Sequence, residues 1–295
     1  MRIDLRYNLL AIFGMILCLA GMSTPVQAAK SRGAAGHGLA YEWEPSYELR
    51  TYKQNYLLMY AHSSNSNNLP TSPNPNNQVL VPYTLDNRDA KFQISLKLAL
   101  ADNKEYGSLW FAYTQLSFWQ FYDRTNSRPF RETDYSPELI YSLQPFESSI
   151  LNFGVVHQSN GENNPRSRSW DRYYIQPGVD IIDSGDVRLL LQIRWWKRFL
   201  EAPSGDNNSD IGDFLGYREV ELRYNYKNSW QISAIGRSKS GQLDIAAPWT
   251  SWLLLDGEYE QSANVHIQYF RGYGESLLDY NQFHETWGVG VSLPF

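Results

Sequence analysis

The chain has 295 residues, a formal net charge of -5, 21 tyrosines and 15% aromatic residues. A mildly acidic chain of this length has room for one large domain or two small ones, and it carries no basic footprint for nucleic acid. Mean hydropathy is negative and no long apolar run follows the N-terminal segment. This excludes a helical membrane protein but not a membrane β-barrel, whose strands show lipid one face only.

Residues 1–8 are short and basic, with Arg2 and Arg6; residues 9–20 are apolar, and Val26-Gln27-Ala28 offers a small-residue cleavage site. Residues 1–28 therefore read as a secretory signal, too short to span a membrane. Cys18, the only cysteine, lies inside it behind Leu17, which suits neither lipidation nor a disulfide in the mature chain. Residues 29–45 read as a flexible leader, Gly/Ala/Lys-rich up to Gly38, and 46–295 as one domain built from strands.

The first strand is predicted over 52–62, followed by an Asn/Pro/Ser-rich loop over 63–78. Over 89–101, Phe92, Ile94, Leu96, Leu98 and Leu100 alternate with Lys91, Gln93, Ser95 and Lys97, giving one apolar and one wet face. Further strands are expected over 107–122, 135–144, 152–159, 169–179 and 186–199, then a polar loop over 202–211. Residues 213–227 and 229–238 read as a hairpin closed at Asn228, and 249–259, 263–273 and 284–295 complete the set. At the C-terminus, Trp287, Val289, Val291, Leu293 and Phe295 alternate with Gly288, Gly290, Ser292 and Pro294. Such a terminal strand is similar to those that end outer-membrane barrels. A sheet in lipid must close on itself so that no backbone group lacks a partner. The fold expected is a single twelve-stranded antiparallel transmembrane β-barrel.

Phe153, Val155, His157 and Ser159 fall on one face of the strand over 152–159. Two residues along a strand cover roughly 6.6 Å, which lets a single strand present a general base and its nucleophile. The plain alternative is two polar residues running into a turn. If the face is the lipid face, a lipid ester can reach the pair by lateral diffusion. Gly161 follows closely, where a backbone N–H without a side chain can approach an oxyanion. His37 lies in the leader, His62 at a loop edge, and His266 and His284 have no serine two residues away. Gln115 shares a face with Phe111, Tyr113 and Trp119, where an amide is costly against lipid tails unless paired.

The run His157-Gln158-Ser159-Asn160-Gly161, the following Arg168-Ser169-Trp170-Asp171, and the blocks from Pro129 to Glu138 and Tyr273 to Asn281 resemble the outer-membrane phospholipase A family of Gram-negative bacteria. The resemblance spans most of the chain from about Tyr52. It implies a serine hydrolase of phospholipid and lysophospholipid acyl esters, with Ser159 as nucleophile, His157 as general base and an acyl-enzyme intermediate. Where the family has Asn as third member, this chain has Asp171, which brings the triad closer to Ser-His-Asp. The resemblance further implies a Ca²⁺ ion that shares the oxyanion work with Gly161. Its ligands are Ser167, the Glu162 backbone carbonyl and Ser127 from a second subunit, so that the active form is a homodimer with Gln115 at its interface. An acidic residue of the family is Asn164 here, which weakens the expected calcium affinity. Two other readings stay open: a passive outer-membrane channel, and an outer-membrane lipopolysaccharide deacylase.

Overall fold

The computed structural model describes residues 39–45, 47–103, 105–126, 128–227, 230–253 and 263–293. The signal sequence, most of the leader, Ser127, the turn at Asn228 and the last two residues lie outside the described residues. The rest is a closed antiparallel barrel of twelve strands. They are β1 (Tyr56–Ser63), β2 (Arg88–Asn103), β3 (Gly107–Trp119), β4 (Phe130–Leu143), β5 (Ser149–Ser159), β6 (Ser169–Asp183), β7 (Val187–Arg198), β8 (Arg218–Tyr226), β9 (Trp230–Arg237), β10 (Ser240–Ala247), β11 (Asn264–Gly272) and β12 (His284–Ser292). Each pairs with the next, and β12 pairs with β1 to close the ring. Arg50–Thr51 extends the β1 edge by pairing with Leu96 and Lys97 of β2.

Most of the predicted strands are present. β10 was not expected; of the strand expected over 249–259, Trp249–Trp252 forms a short helical turn and residues 254–259 lie outside the described residues. Arg237 pairs with Ser240, so the chain reverses at Ser238-Lys239 and returns at once. The other difference is near the N-terminus. The end of the segment read as a leader is packed: Leu39–Glu42 forms a helical turn, α1, whose Leu39 N–H donates to Asp180 Oδ2 at 2.7 Å. Trp43 follows, buried, with the Lys97 ammonium 3.6 Å from its ring centroid.

Period-two alternation sorts the side chains. Leu57, Ile94, Phe111, Leu139, Phe153, Val155, Ile175, Ile267 and Val289 are exposed on the outer wall. Aromatic residues flank this band at both ends: Phe130, Tyr135, Tyr173, Trp195, Phe199 and Trp287 at one, Tyr106, Tyr141, Phe146 and Trp249 at the other. The interior is polar and densely paired. Glu138 accepts from the Tyr174 hydroxyl at 2.8 Å and lies 3.5 Å from both Arg194 and Lys53. Near one end, Arg131 bridges Asp89 (3.2 Å) and Asp279 (2.5 Å), and Lys91 meets Glu275 at 2.9 Å. A cavity of about 220 Å³ remains among Lys53, Glu138, Arg172, Glu219 and His266. An apolar wall, aromatic belts and a polar lumen together make a membrane barrel.

The two ends differ. The turns after β2, β4, β6 and β8 are short, whereas the loops after β1, β3, β5, β7 and β11 run to nine or more residues. In outer-membrane barrels short turns face the periplasm and long loops the exterior. The start of β1 and the end of β12 are on the short-turn side, and the end of β5 that carries His157 and Ser159 is on the long-loop side.

Candidate active site

β5 alternates cleanly. Phe153, Val155 and His157 are exposed, while Asn152, Gly154 and Val156 are buried in the lumen. The wall is thin here: a Cβ on Gly154 would lie 2.2 Å from the Tyr174 ring, so glycine lets Tyr174 reach Glu138. His157 is exposed on the outer wall and Ser159, half-buried, follows at the end of β5 beside the long loops.

β6 runs antiparallel to β5 with His157 directly opposite Asp171 and Ser159 opposite Ser169. His157 Nδ1 lies 2.6 Å from Asp171 Oδ1, with the side chains 51% and 48% exposed. An ionised carboxylate only accepts, so this contact puts the proton on Nδ1 and leaves Nε2 with a free lone pair. Ser159 is half-buried, opposite Tyr135 of β4 on its other side. No hydrogen bond joins it to His157 among the described residues. Proline explains the gap in the ladder beside the pair: Pro137 has no N–H, and no β4–β5 partners are made between Tyr135 and Glu138.

The loop 160–168 is built around Asn160 and Arg168. Asn160 Oδ1 accepts from the backbone N–H of Glu162 (3.3 Å) and of Arg168 (2.9 Å), and its Nδ2 donates to the Arg166 carbonyl at 2.9 Å. Arg168 is fully buried and donates to the carbonyls of Pro165, Ser167, Thr71 and Asn77, which ties this loop to the long loop after β1. Neither role was assigned from sequence, although both residues stand inside the matching motifs. Only their partners reveal it. Gly161 sits at φ 66°, the left-handed region that favours glycine, and a Cβ there would lie 3.1 Å from the Tyr135 ring.

The loop oxygens expected to hold a cation are oriented as follows. The Glu162 carbonyl accepts no hydrogen bond among the described residues, and its carboxylate lies 3.9 Å from Arg166. Ser167 Oγ accepts only a long contact from Asn207 Nδ2 at 3.4 Å. Asn164 is committed elsewhere, since its Oδ1 accepts from Asn77 Nδ2 at 2.9 Å. Among the described residues no group of three or more His, Cys, Asp or Glu side chains could hold a metal. Gln115 is half-buried on the outer face as expected, paired across the ladder with Tyr135. Its amide is satisfied within that face: Oε1 accepts from Tyr113 OH at 3.0 Å and Nε2 donates to Ser117 Oγ at 3.1 Å.

Residues 40–293 match the family model described as Phospholipase A1. The chain belongs to this family. A Neisseria meningitidis serogroup B relative that carries a provisional phospholipase A1 name is 33% identical over 261 residues, covering 84% of this chain and 65% of its own length. The chain thus spans slightly less than two thirds of that relative. The phospholipase A1 of Proteus vulgaris is 29% identical over 283 residues, covering 89% of this chain and 87% of that protein. Among solved structures, the Salmonella typhi outer membrane phospholipase, a dimer with bound calcium, superposes with a TM-score of 0.68 at 27% identity, covering 85% of this chain and 94% of that one.

Proposed function

We propose that this barrel is a calcium-dependent outer-membrane phospholipase that hydrolyses acyl esters of phospholipids and lysophospholipids through Ser159. The observation that carries the reading is the His157–Asp171 contact, two residues from Ser159, on the lipid-facing wall at an aromatic belt. A site there meets its substrate in the plane of the membrane.

In the reaction, Ser159 Oγ attacks the ester carbonyl carbon while His157 Nε2 takes the hydroxyl proton. Asp171 holds the imidazole in the right tautomer and stabilises the imidazolium. The oxyanion of the tetrahedral intermediate accepts from the Gly161 N–H. On collapse the ester C–O bond breaks, and His157 returns the proton to the departing glycerol oxygen. Water, deprotonated by the same imidazole, then releases the fatty acid from Ser159.

The available oxygens of Glu162 and Ser167 fit a hard cation, which takes carbonyl, hydroxyl and water ligands. Glu162 and Ser167, with Ser127 from a second subunit, would hold Ca²⁺, which would supply positive charge to stabilise the developing oxyanion. The neutral Asn164, already hydrogen-bonded to Asn77, makes that affinity lower than a carboxylate would. The homodimer follows from a ligand set divided between subunits, and the relative with calcium is itself a dimer.

The passive-channel reading has less support, because Trp43 and the ion pairs of Glu138, Arg131 and Lys91 occupy the lumen. The decisive experiment is hydrolysis of phospholipid in mixed micelles, with and without chelator, by the wild type and Ser159→Ala. The serine variant should lose on the order of 10³ or more in turnover. Near wild-type hydrolysis by it would falsify the assignment. A parallel panel with lipopolysaccharide as substrate separates the deacylase reading.

A further inference from the structure

The inner face of β5 carries a brace directly behind the catalytic pair. Gln158, between His157 and Ser159, lines the lumen cavity and is opposite Trp170 of β6. Its Oε1 accepts from Trp170 Nε1 at 3.0 Å and from Arg172 Nη2 at 2.7 Å. An indole N–H and a guanidinium only donate, so these two neighbours fix which end of the amide faces them. The Arg172 guanidinium lies 3.8 Å from the centroid of the Trp170 ring, and the buried Trp170 meets the Trp196 ring edge-on at 6.5 Å. Among the described residues no carboxylate pairs with Arg172, and Gln158 is the acceptor it finds.

The brace stands where the ladder is weakest. On the β4 side Val156 is paired with Glu138 and Ser159 with Tyr135, while His157 and Gln158 have no partner. On the β6 side both are paired, with Asp171 and Trp170. Beyond Ser159 the chain leaves the sheet. A strand end held on one side only is free to twist about its own axis. Because side chains alternate, a twist at Gln158 swings His157 and Ser159 on the opposite face. Gln158 adds a second tie to β6, and its two donors flank Asp171 in sequence. Base, nucleophile and carboxylate are thereby held from behind by one cluster.

We infer that Gln158 is a positioning residue: gripped by Trp170 and Arg172, it fixes the twist of β5 so that His157 meets both Asp171 and the Ser159 hydroxyl. The inference rests on the Ser159 hydrolase reading and adds the residue that aligns its pair. His157 and Ser159 share no hydrogen bond among the described residues, so the backbone beneath them sets their separation. A general base must come within about 3 Å of the group whose proton it takes, and a misplacement of about 1 Å can cost up to about 10²-fold.

The test measures phospholipid hydrolysis by the purified full chain in mixed micelles with calcium, and beside it the rate at which a sulfonyl fluoride inactivates the enzyme. Gln158→Leu removes the acceptor at similar volume. It should lower kcat about tenfold with little change in KM, and slow inactivation in step. Gln158→Glu keeps an oxygen for both donors and should retain most of both rates. Gln176→Leu is the control: Gln176 Oε1 accepts from Arg194 Nε at 2.7 Å in the same lumen, roughly 20 Å along β6 from Trp170, and its loss should leave kcat unchanged. A wild-type kcat in Gln158→Leu overturns the inference. So does a loss that Gln158→Glu fails to recover, or an equal loss in Gln176→Leu, which would mark a general weakening of the lumen. If Gln158→Leu does not fold, Trp170→Phe deletes one donor and keeps a ring; kcat should fall severalfold, and an unchanged value overturns the inference. Ser159→Ala run beside these variants separates the two levels: activity surviving there defeats the hydrolase reading, whereas a wild-type Gln158→Leu with full dependence on Ser159 defeats only the brace.

Discussion

His157 and Asp171 are directly opposed on β5 and β6, and their Nδ1 and Oδ1 atoms lie 2.6 Å apart. The contact is half exposed to the surroundings, so its worth is in orientation and in the charged state rather than in stability. Asp171→Ala should lower turnover by roughly 10² to 10⁴, less than Ser159→Ala, with the barrel still folded. Asp171→Asn keeps a hydrogen-bond acceptor but removes the negative charge that favours the imidazolium. Its kcat should therefore fall with little change in KM. Rates identical to wild type for both variants would make Asp171 a turn-proximal carboxylate and nothing more.

Gly161 offers a separate handle on the oxyanion. At φ 66°, any side chain is strained, and a Cβ would press on Tyr135 at 3.1 Å. Gly161→Ala should cost about 10 to 10³ in kcat, the range for a displaced oxyanion donor, with a smaller change in KM. Because the backbone strain is independent of the neighbour, adding Tyr135→Ala should restore only part of the loss. Complete rescue by the second change would mean that Tyr135 contact, not amide position, was the defect.

The barrel was readable from sequence where alternation was strong. On β2, Phe92, Ile94, Leu96, Leu98 and Leu100 line the outer wall as the pattern required, with Lys91 and Lys97 buried inside. β10 is hard to read because its outward positions include Gly241 beside Gly236 of β9, which weakens the apolar signal. Alternation also says which face a residue takes, never which partner it finds. Glu138 meets residues as far apart in sequence as Lys53, Tyr174 and Arg194, and that network was invisible beforehand. The site divides along the same line. His157 and Ser159 are two apart on one strand and could be paired on paper, whereas the bracing of the loop by Arg168 depends on Thr71 and Asn77 from a remote segment.

The long-loop end of the lumen should respond to acid. Glu275 lies in the loop before β12, where burial pushes its carboxyl up but the charges of Lys91 and His284, with the Thr286 hydroxyl bond, outweigh this and hold it below the usual range. A depressed carboxyl contributes stability that is present above its unfolded-state pKa and is lost as pH falls through the folded one. The folded barrel should therefore weaken as pH drops below the ordinary glutamate range, about 4.3. Glu275→Gln should be less stable than wild type at neutral pH and should show a shallower loss in acid. Thermal unfolding followed by heat-modified gel mobility between neutral and acid pH measures both. Parallel curves for the two proteins would remove Glu275 from the account.

On the proposed ligand set of Glu162 and Ser167 from one subunit and Ser127 from the other, the cation would bind only the dimer, so calcium and dimerisation should be coupled by mass action. Chelation should thus lower activity and shift sedimentation in detergent toward the monomer together. Ser127→Phe should abolish the calcium-dependent activity and leave a folded monomer. Gln115 enters differently. Its amide is already satisfied by Tyr113 and Ser117, so contact with a partner exchanges hydrogen bonds rather than adding them. Gln115→Ala should weaken the dimer by only about 0.5–1 kcal/mol, at the low end for a polar contact in lipid. It should do so without changing the calcium concentration needed at saturating protein. Sedimentation equilibrium of the wild type and both variants, with calcium and a covalent serine inhibitor, resolves the two contributions. A fully active monomer under those conditions would break the link between metal and dimer while leaving the chemistry at Ser159 intact.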